Sequence, residues 1–257
     1  MRRYTDAVST PSNRRSAPFT TDATLQTSMC GRYTLFTPRE TLADRFGVRV
    51  PEDHEPRYNC APGQSLPVVS SEAPDRVVRQ EWGLVPSWAD DGSDAQINAR
   101  GETVSEKPTF RESFESRRCL VPADGFYEWV DGPAGKVPYR VAFEDDRPFA
   151  MAGIWARWTP PTAQTGLSEF GSGGPASPDP RETFAVVTTE PNSLVADLHH
   201  RMAVVLSPDE EETWLEGPPA AARDLLGPYP ADEMTAYEVS TQVNDVSNDG
   251  PELVEPA

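Results

Sequence analysis

Four short segments concentrate residue types that do chemistry: M-C-G-R-Y at 29–33, W-G-L-V-P-S-W at 82–88 with I-N-A-R-G-E-T at 97–103, D-G-F-Y-E-W at 124–129, and L-H-H-R-M at 198–202. Cys30 directly follows Met29, so a chain started at Met29 and trimmed of its initiator would begin with Cys30. An N-terminal Cys carries an α-amine of pKa about 7.7 to 8 and a thiol of about 8.5, so both nucleophiles act near neutral pH. The amine condenses with an aldehyde to an imine, and the thiol closes on that imine to a five-membered thiazolidine. The residue type alone favours instead a small buried side chain at the start of a strand.

Glu128 sits between Tyr127 and Trp129 in an apolar run. There a carboxylate is expensive unless it is paired or retained for function, and a desolvated one can move protons as acid or base. On an alternating strand it could instead face water. His199 and His200 account for two of the three histidines; either could donate a proton or clamp an oxygen, or both could lie on the surface. Asn98 is an uncharged donor able to position an amine or a sugar oxygen, or a simple turn residue. Arg32, Arg100 and Arg201 each lie inside one of the segments, and Arg pairs well with phosphate. Trp82 and Trp88 offer faces on which bases stack, or fill a core. Cys60 and Cys119 lie in Y-N-C-A-P-G and R-R-C-L-V-P and read as structural. With no C-x-x-C spacing and no acidic partners beside the histidines, neither a disulfide framework, nor a metal site, nor a cofactor is expected.

These residues need elements to hold them. P-R-E-T-L-A-D-R-F-G (Pro38 to Gly47) predicts a helix, with Thr37 as N-cap, Glu40 at N3 and Gly47 as the stop. Residues 108–118 predict a second, with Phe110 and Phe114 on one face. C-L-V-P, Y-R-V-A-F, F-A-M-A-G-I-W-A, T-F-A-V-V-T-T and M-A-V-V-L read as strands. Helices follow at 210–215 and 220–226, and a last strand at 235–240. Between Thr159 and Arg181 the composition falls to Gly, Ser, Pro and Thr, the mark of an exposed loop insertion. Strands and helices interleave on both sides of it, which favours one α+β domain around a curved sheet.

Composition sets the bounds. The 257 residues are 37% hydrophobic, with 27 Pro and 17 Gly, which argues against both wholly disordered and all-helical chains. No apolar run of about 18 residues occurs, and no apolar stretch follows the first arginines, so a cytoplasmic protein is expected. Residues 1–28 carry Arg2, Arg3, Arg14 and Arg15 against Asp6 and Asp22 and are expected to be a tail or sequence upstream of the true start; residues 29–257 carry the acid. The net charge is -18, and Lys107 and Lys136 are the only lysines among 23 basic residues. Such a surface suits a high-salt interior, and an anionic partner would have to be met by a local cluster of arginines.

In order, M-C-G-R-Y-T-L, Y-N-C-A-P-G-Q, W-G-L-V-P-S-W-A, I-N-A-R-G-E-T, F-R-E-S-F, R-R-C-L-V-P-A-D-G-F-Y-E-W, T-T-E-P-N, H-H-R-M-A-V-V-L and S-T-Q-V-N-D-V-S-N-D-G-P-E make the chain resemble the SOS response-associated peptidase (SRAP) family of abasic-site processing proteins over nearly all of residues 29–256. The resemblance implies a mixed, strongly curved sheet closing into a small barrel flanked by helices. It implies that Cys30 crosslinks through amine and thiol to the ring-opened aldehyde of an abasic site in single-stranded DNA, in the DNA damage response at stalled replication forks, with the protein monomeric and nucleoid-associated when bound. By the same matching Asn98 orients the amine or the sugar, Glu128 handles protons, and His199 assists at the sugar oxygen. Arg32, Arg100 and Arg201 would hold phosphates, Trp82 and Trp88 would stack on or wedge the strand, and Thr189 in T-T-E-P-N would touch DNA. The family is also credited with removing its own N-terminal residues. Ala203 stands where the family usually has Pro, and Gln242 where it usually has Arg.

Two other readings stay open on the sequence. A cysteine peptidase acting on proteins would use Cys30, His199 and Glu128 as nucleophile, base and orienter, and would tolerate residues before Cys30. A non-covalent reader of damaged or modified DNA would survive loss of Cys30.

Overall fold

The computed structural model describes residues 31–93, 95–133, 135–160 and 179–257. Cys30, the 1–28 segment and most of the expected 159–181 loop lie outside the described residues. In chain order the elements are β1 (Tyr33–Leu35), α1 (Arg39–Phe46), β2 (Arg57–Cys60), β3 (Ser65–Ser70), β4 (Ala73–Trp82), β5 (Asn98–Arg100), α2 (Pro108–Ser116), β6 (Arg118–Ala123), β7 (Gly125–Gly132), β8 (Gly135–Phe143), β9 (Phe149–Trp158), β10 (Arg181–Thr189), β11 (Met202–Ala203), β12 (Val205–Leu206), α3 (Pro208–Glu216), α4 (Pro219–Asp224) and β13 (Met234–Glu238). Short 3-10 turns punctuate them, at Gly101–Thr103 and Val195–Asp197 among others.

Five strands close into a ring. β10 pairs antiparallel with β9 from Arg181 to Val186 and parallel with β4 at Thr183 and Phe184. β4 pairs β3, β3 pairs β6, and β6 pairs β9, all antiparallel. The mixed, closed barrel with helices around it is the α+β architecture expected, and closure removes the edges a short-stranded sheet would otherwise expose. Its wall strands read as continuous apolar runs because they are covered on both faces: in F-A-M-A-G-I-W-A-R-W only Arg157 is exposed. A second sheet, β13–β8–β7–β1–β2, is antiparallel throughout, with β1 between β7 and β2.

The barrel strand β10 outruns the ring, and this builds the site. Beyond the β9 and β4 pairings its two edges take new partners: β5 in parallel, with Asn98, Ala99 and Arg100 opposite Val186, Val187 and Thr188, and β11 antiparallel at Thr188 and Thr189. M-A-V-V-L, expected as one strand, is split accordingly. β11 joins β10 and β12 joins β9, with Val204 donating to the Val187 carbonyl at 2.9 Å and accepting from Ala152 at 2.8 Å.

Most helices follow the sequence. Gly47 closes α1 at φ 64, a left-handed cap that favours Gly, and Phe110 and Phe114 of α2 are buried. The N-terminus of α1 departs from expectation. Pro38 occupies the cap position without a side-chain bond, because the Thr37 N–H and hydroxyl both go to the Asp124 carboxylate, at 2.9 and 3.1 Å. Ser207 and Glu210 form a capping box on α3. Among the described residues no helix is long and apolar enough to cross a membrane.

Arg118, 3% exposed at the start of β6, joins two helix ends. Its guanidinium donates to the Phe114 carbonyl at 2.8 Å, and to the Trp214 and Gly217 carbonyls at the end of α3. A cation there answers the negative ends of both helices and fills acceptors that have no intrahelical donor. Arg118→Leu is expected to lower stability by about 2–4 kcal/mol, since several buried carbonyls lose their donor. Urea unfolding checks it, and a midpoint within error of wild type would dismiss the capping role.

Candidate functional site

The described chain enters the molecule beside Glu128. β1 runs antiparallel to β7 with Tyr33 opposite Phe126 and Thr34 opposite Gly125, and the Tyr127 N–H donates to the Arg32 carbonyl at 3.0 Å. Gly31 is buried and lies next in line, toward Glu128. Glu128 is 1% exposed, so the water-facing reading of its strand position fails. Adjacent strand positions alternate faces, which separates Glu128 from Tyr127 and Trp129 on the other side of β7.

His199 reaches the same carboxylate from another element. Asn192 Oδ1 accepts the Val195 N–H at 2.9 Å and sets the turn Val195–Asp197, whose Val195 carbonyl then accepts from His199 N at 2.8 Å. This brings His199 Nδ1 to 4.0 Å from Glu128 Oε2. Nδ1 also lies 3.2 Å from the Arg201 N–H, which donates to it. Burial pushes the His199 pKa below 6.5; the hydrogen bond to the Arg201 backbone opposes this, and the charges of His200, Lys136 and Arg201 act with burial. The Glu128 carboxylate at 4.0 Å is beyond hydrogen-bond distance of Nδ1. At neutral pH the imidazole is therefore uncharged. It can hold or pass a proton.

Past His199 the chain rejoins β10. Arg201 donates to the Thr188 carbonyl at 2.7 Å, the residue that β5 pairs through Arg100. Its guanidinium also forks onto Glu102, with one contact of 2.8 Å, and this bond holds the Glu102 carboxyl below its ordinary range. Asn98 and Arg100 are two apart on β5 and share a face; Asn98 is half-buried and Arg100 exposed. β10 thus places Asn98 and Arg100 along one edge, and the His199–Arg201 segment along the other.

Several expected DNA contacts are corrected by where their side chains are. Trp82 is 1% exposed; its ring packs on Phe184 and Tyr33, and Nε1 donates to the Ile97 carbonyl at 2.9 Å, so it offers no face to a strand. Thr189 is buried and donates its hydroxyl to the Leu226 carbonyl at 3.0 Å. Arg32 is engaged by Asn59 Oδ1 at 2.9 Å and the Val243 carbonyl at 2.7 Å. Trp88, 62% exposed, and Arg100 remain on the surface. Cys60 and Cys119 are fully buried, and burial pushes both thiols far up, so neither is a nucleophile. Among the described residues no cluster of His, Cys, Asp and Glu could hold a metal ion.

Residues 29–246 match the family model described as SOS response associated peptidase (SRAP). The chain belongs to the SRAP family. Curated SRAP relatives include the abasic site processing protein YoqW of Bacillus subtilis, 39% identical over 237 residues, covering 88% of this chain and 99% of the relative. The abasic site processing protein HMCES of Gallus gallus is 34% identical over 238 residues, covering 79% of this chain and 67% of that one. A crystal structure of a Bacteroides thetaiotaomicron protein superposes with a TM-score of 0.74 at 29% identity, covering 89% of this chain and all of that one. That structure shares the fold described above.

Residue types alone did not point to Asn59, Glu102, Asp124 or Asn192, each of which holds part of this candidate site in place. Asn59 and Asp124 had a signal: both sit next to apolar strand residues, where a polar group must find partners. Because His199 is held neutral by burial, its imidazole resonances are expected to titrate below pH 6.5. Two-dimensional NMR of imidazole protons, assigned with His199→Gln, checks this; a midpoint above 6.5 would mean that burial does not dominate at this ring.

Proposed function

We propose that this chain processes abasic sites in single-stranded DNA by forming a covalent DNA–protein crosslink through Cys30. The observation that carries the reading is the entry of the chain at Gly31 beside Glu128, with neutral His199 on the carboxylate's other side. Gly31 is the residue that directly follows Cys30 in the sequence. The burial of Cys60 and Cys119 leaves Cys30 as the thiol with a chemical role. The relatives named abasic site processing proteins support the choice of lesion.

An abasic site equilibrates between a closed hemiacetal and an open aldehyde. Glu128 and His199 move the proton between the anomeric hydroxyl and the ring oxygen that opens it, and Asn98 orients the amine or the sugar. The Cys30 amine adds to the aldehyde carbon and one water leaves, giving the imine. The thiol sulfur then adds to the imine carbon while its proton goes to nitrogen, and the thiazolidine closes with no further loss. One water is released in all. No oxidant or metal takes part.

The reaction needs a free α-amine on Cys30, so the active form begins at that residue. Hydrolysis of the bond before Cys30 at the same site would produce it, which agrees with the peptidase in the family description. Exposed Arg100 and Trp88 are the contacts for the phosphate and bases of the strand. DNA binding places the protein at damaged nucleoid and stalled forks.

Protein expressed from Met29 and incubated with single-stranded DNA bearing one abasic site is expected to gain the mass of the oligonucleotide less one water. Cys30→Ala should give no adduct, and Cys30→Ser only an imine trapped by borohydride. Glu128→Gln should slow adduct formation by about a hundredfold, the range of a lost general acid–base group. A stable adduct with Cys30→Ala would reject the assignment. Absence of any adduct together with cleavage of protein substrates would turn the reading to a cysteine peptidase, and lesion-specific binding without an adduct to a non-covalent reader.

A further inference from the structure

The last residues of the chain fold back over the strand that carries the N-terminal end. Asn59 on β2 is fully buried, and its Nδ2 donates to the carbonyls of Val243 at 3.2 Å, Asp245 at 3.1 Å and Asn248 at 2.9 Å. Its Oδ1 accepts from Arg32 Nη1 at 2.9 Å, and the same nitrogen donates to the Val243 carbonyl at 2.7 Å. Arg32 Nη2 lies 3.4 Å from the Asn244 carbonyl, and Trp129 Nε1 donates to Asn244 Oδ1 at 2.7 Å. In the other direction the Asp249 carboxylate accepts the backbone N–H of Tyr58 at 2.5 Å and of Asn59 at 2.9 Å, and pairs with Arg57. Tyr127, Val239, Val243 and Leu253 form an apolar cluster separate from the main core, which seals this contact.

β1 alone would hold its leading end poorly. It has only three residues, and the backbone bond from Tyr127 to the Arg32 carbonyl lies just outside them. Chain ends fray unless tied down. A nucleophile one residue further out must nonetheless meet an aldehyde within a fraction of an ångström, since misplacement by about 1 Å can cost a hundredfold in rate.

We propose that residues 241–249 act as a clasp that positions Cys30, with Arg32 and Asn59 as its positioning residues, and that Arg32 is not a phosphate ligand. Arg32 ties the leading end of β1 to the C-terminal backbone, and Asn59 buttresses both. The inference rests on the crosslinking role of Cys30. It reassigns Arg32 from the DNA to the protein, and makes the C-terminal segment part of the reacting site.

The test uses protein expressed from Met29 with Arg32→Ala, Asn59→Ala and Trp129→Phe, the last keeping an aromatic side chain while removing the indole donor to Asn244. Three quantities are read: the crosslinking rate at saturating abasic-site DNA, the salt dependence of binding to lesion-free single-stranded DNA, and the melting temperature. At a temperature well below unfolding, Arg32→Ala and Asn59→Ala are expected to slow crosslinking by about ten- to a hundredfold, and Trp129→Phe by a smaller factor, with wild-type salt slopes. A slope reduced by about 0.7 in Arg32→Ala alone would show a phosphate contact and overturn the proposal. Wild-type crosslinking rates in variants that merely melt earlier would also overturn it. If Asn59→Ala does not fold, Arg32→Ala and Trp129→Phe decide by the same readings. Failure of wild-type protein to crosslink at all would strike the reading of Cys30 instead, which the wild-type control separates from failure of the clasp.

Discussion

A buried carboxylate cannot be left without partners, and the partners of Asp124 fix where the chain enters this molecule. Asp124 is fully buried at the junction of β6 and β7. It accepts the Thr34 hydroxyl at 2.5 Å, the Phe36 N–H at 2.6 Å, and both the N–H and hydroxyl of Thr37. Arg140, equally buried, donates to the Asp124 carbonyl at 2.8 Å while its other contacts reach Asp146 and Tyr237. Four donors from the end of β1 therefore converge on one residue beside β7. A slip of β1 by one position would strip that carboxylate of its donors and leave it charged in the interior, a cost of several kcal/mol. The register is thus decided electrostatically at one end of β1. It delivers the other end to Glu128.

The barrel supplies the rest of the frame. A closed ring leaves little freedom for its strands, so β10, the strand that extends past the ring, is a rigid arm. Its apolar residues make it part of the core, while its end is still able to pair on both edges. Asn98 and Arg100 come from a segment upstream of the barrel's second half, and His199 and Arg201 from well beyond the loop after β9. Both are set by the register of the same stretch of β10, Val186 to Thr188 for β5 and Thr188 and Thr189 for β11. Site geometry is therefore inherited from the strand order, and long chain separation between the parts is no obstacle to it.

Much of this was legible in the sequence because the signals are local. Gly47 stops α1, Phe110 and Phe114 share the buried face of α2, and the apolar runs of β6, β9 and β10 declare themselves as strands. What the residues could not reveal was assignment between competing partners. Thr37 has the side chain of an N-cap, and only the tertiary contact with Asp124 takes it away from α1. Trp82 and Trp88 look alike in W-G-L-V-P-S-W, yet one stacks in the core and the other stands in solvent. Arg32 and Arg201 read as phosphate ligands because a guanidinium suits carbonyls, carboxylates and phosphates alike. The choice among these acceptors depends on Asn59, Glu102 and the C-terminal backbone, which lie far along the chain.

That allocation of arginines bears on how such an acidic protein could act on DNA. The net charge of -18 repels a phosphate backbone, and two of the three arginines expected to offset it are engaged with the protein itself. On the proposed function, reversible binding then has fewer of the expected phosphate contacts to rest on, and salt lowers it further. On the proposed chemistry that weakness matters little. A thiazolidine carbon–sulfur bond does not depend on ionic strength, so the strand need only stay long enough for an imine to form. The requirement then shifts from charge to geometry, to a nucleophile held ready at the one place where an open aldehyde can be met. A short β1 strand pinned by Asp124 at one end, and by Arg32 and Asn59 at the other, meets that requirement.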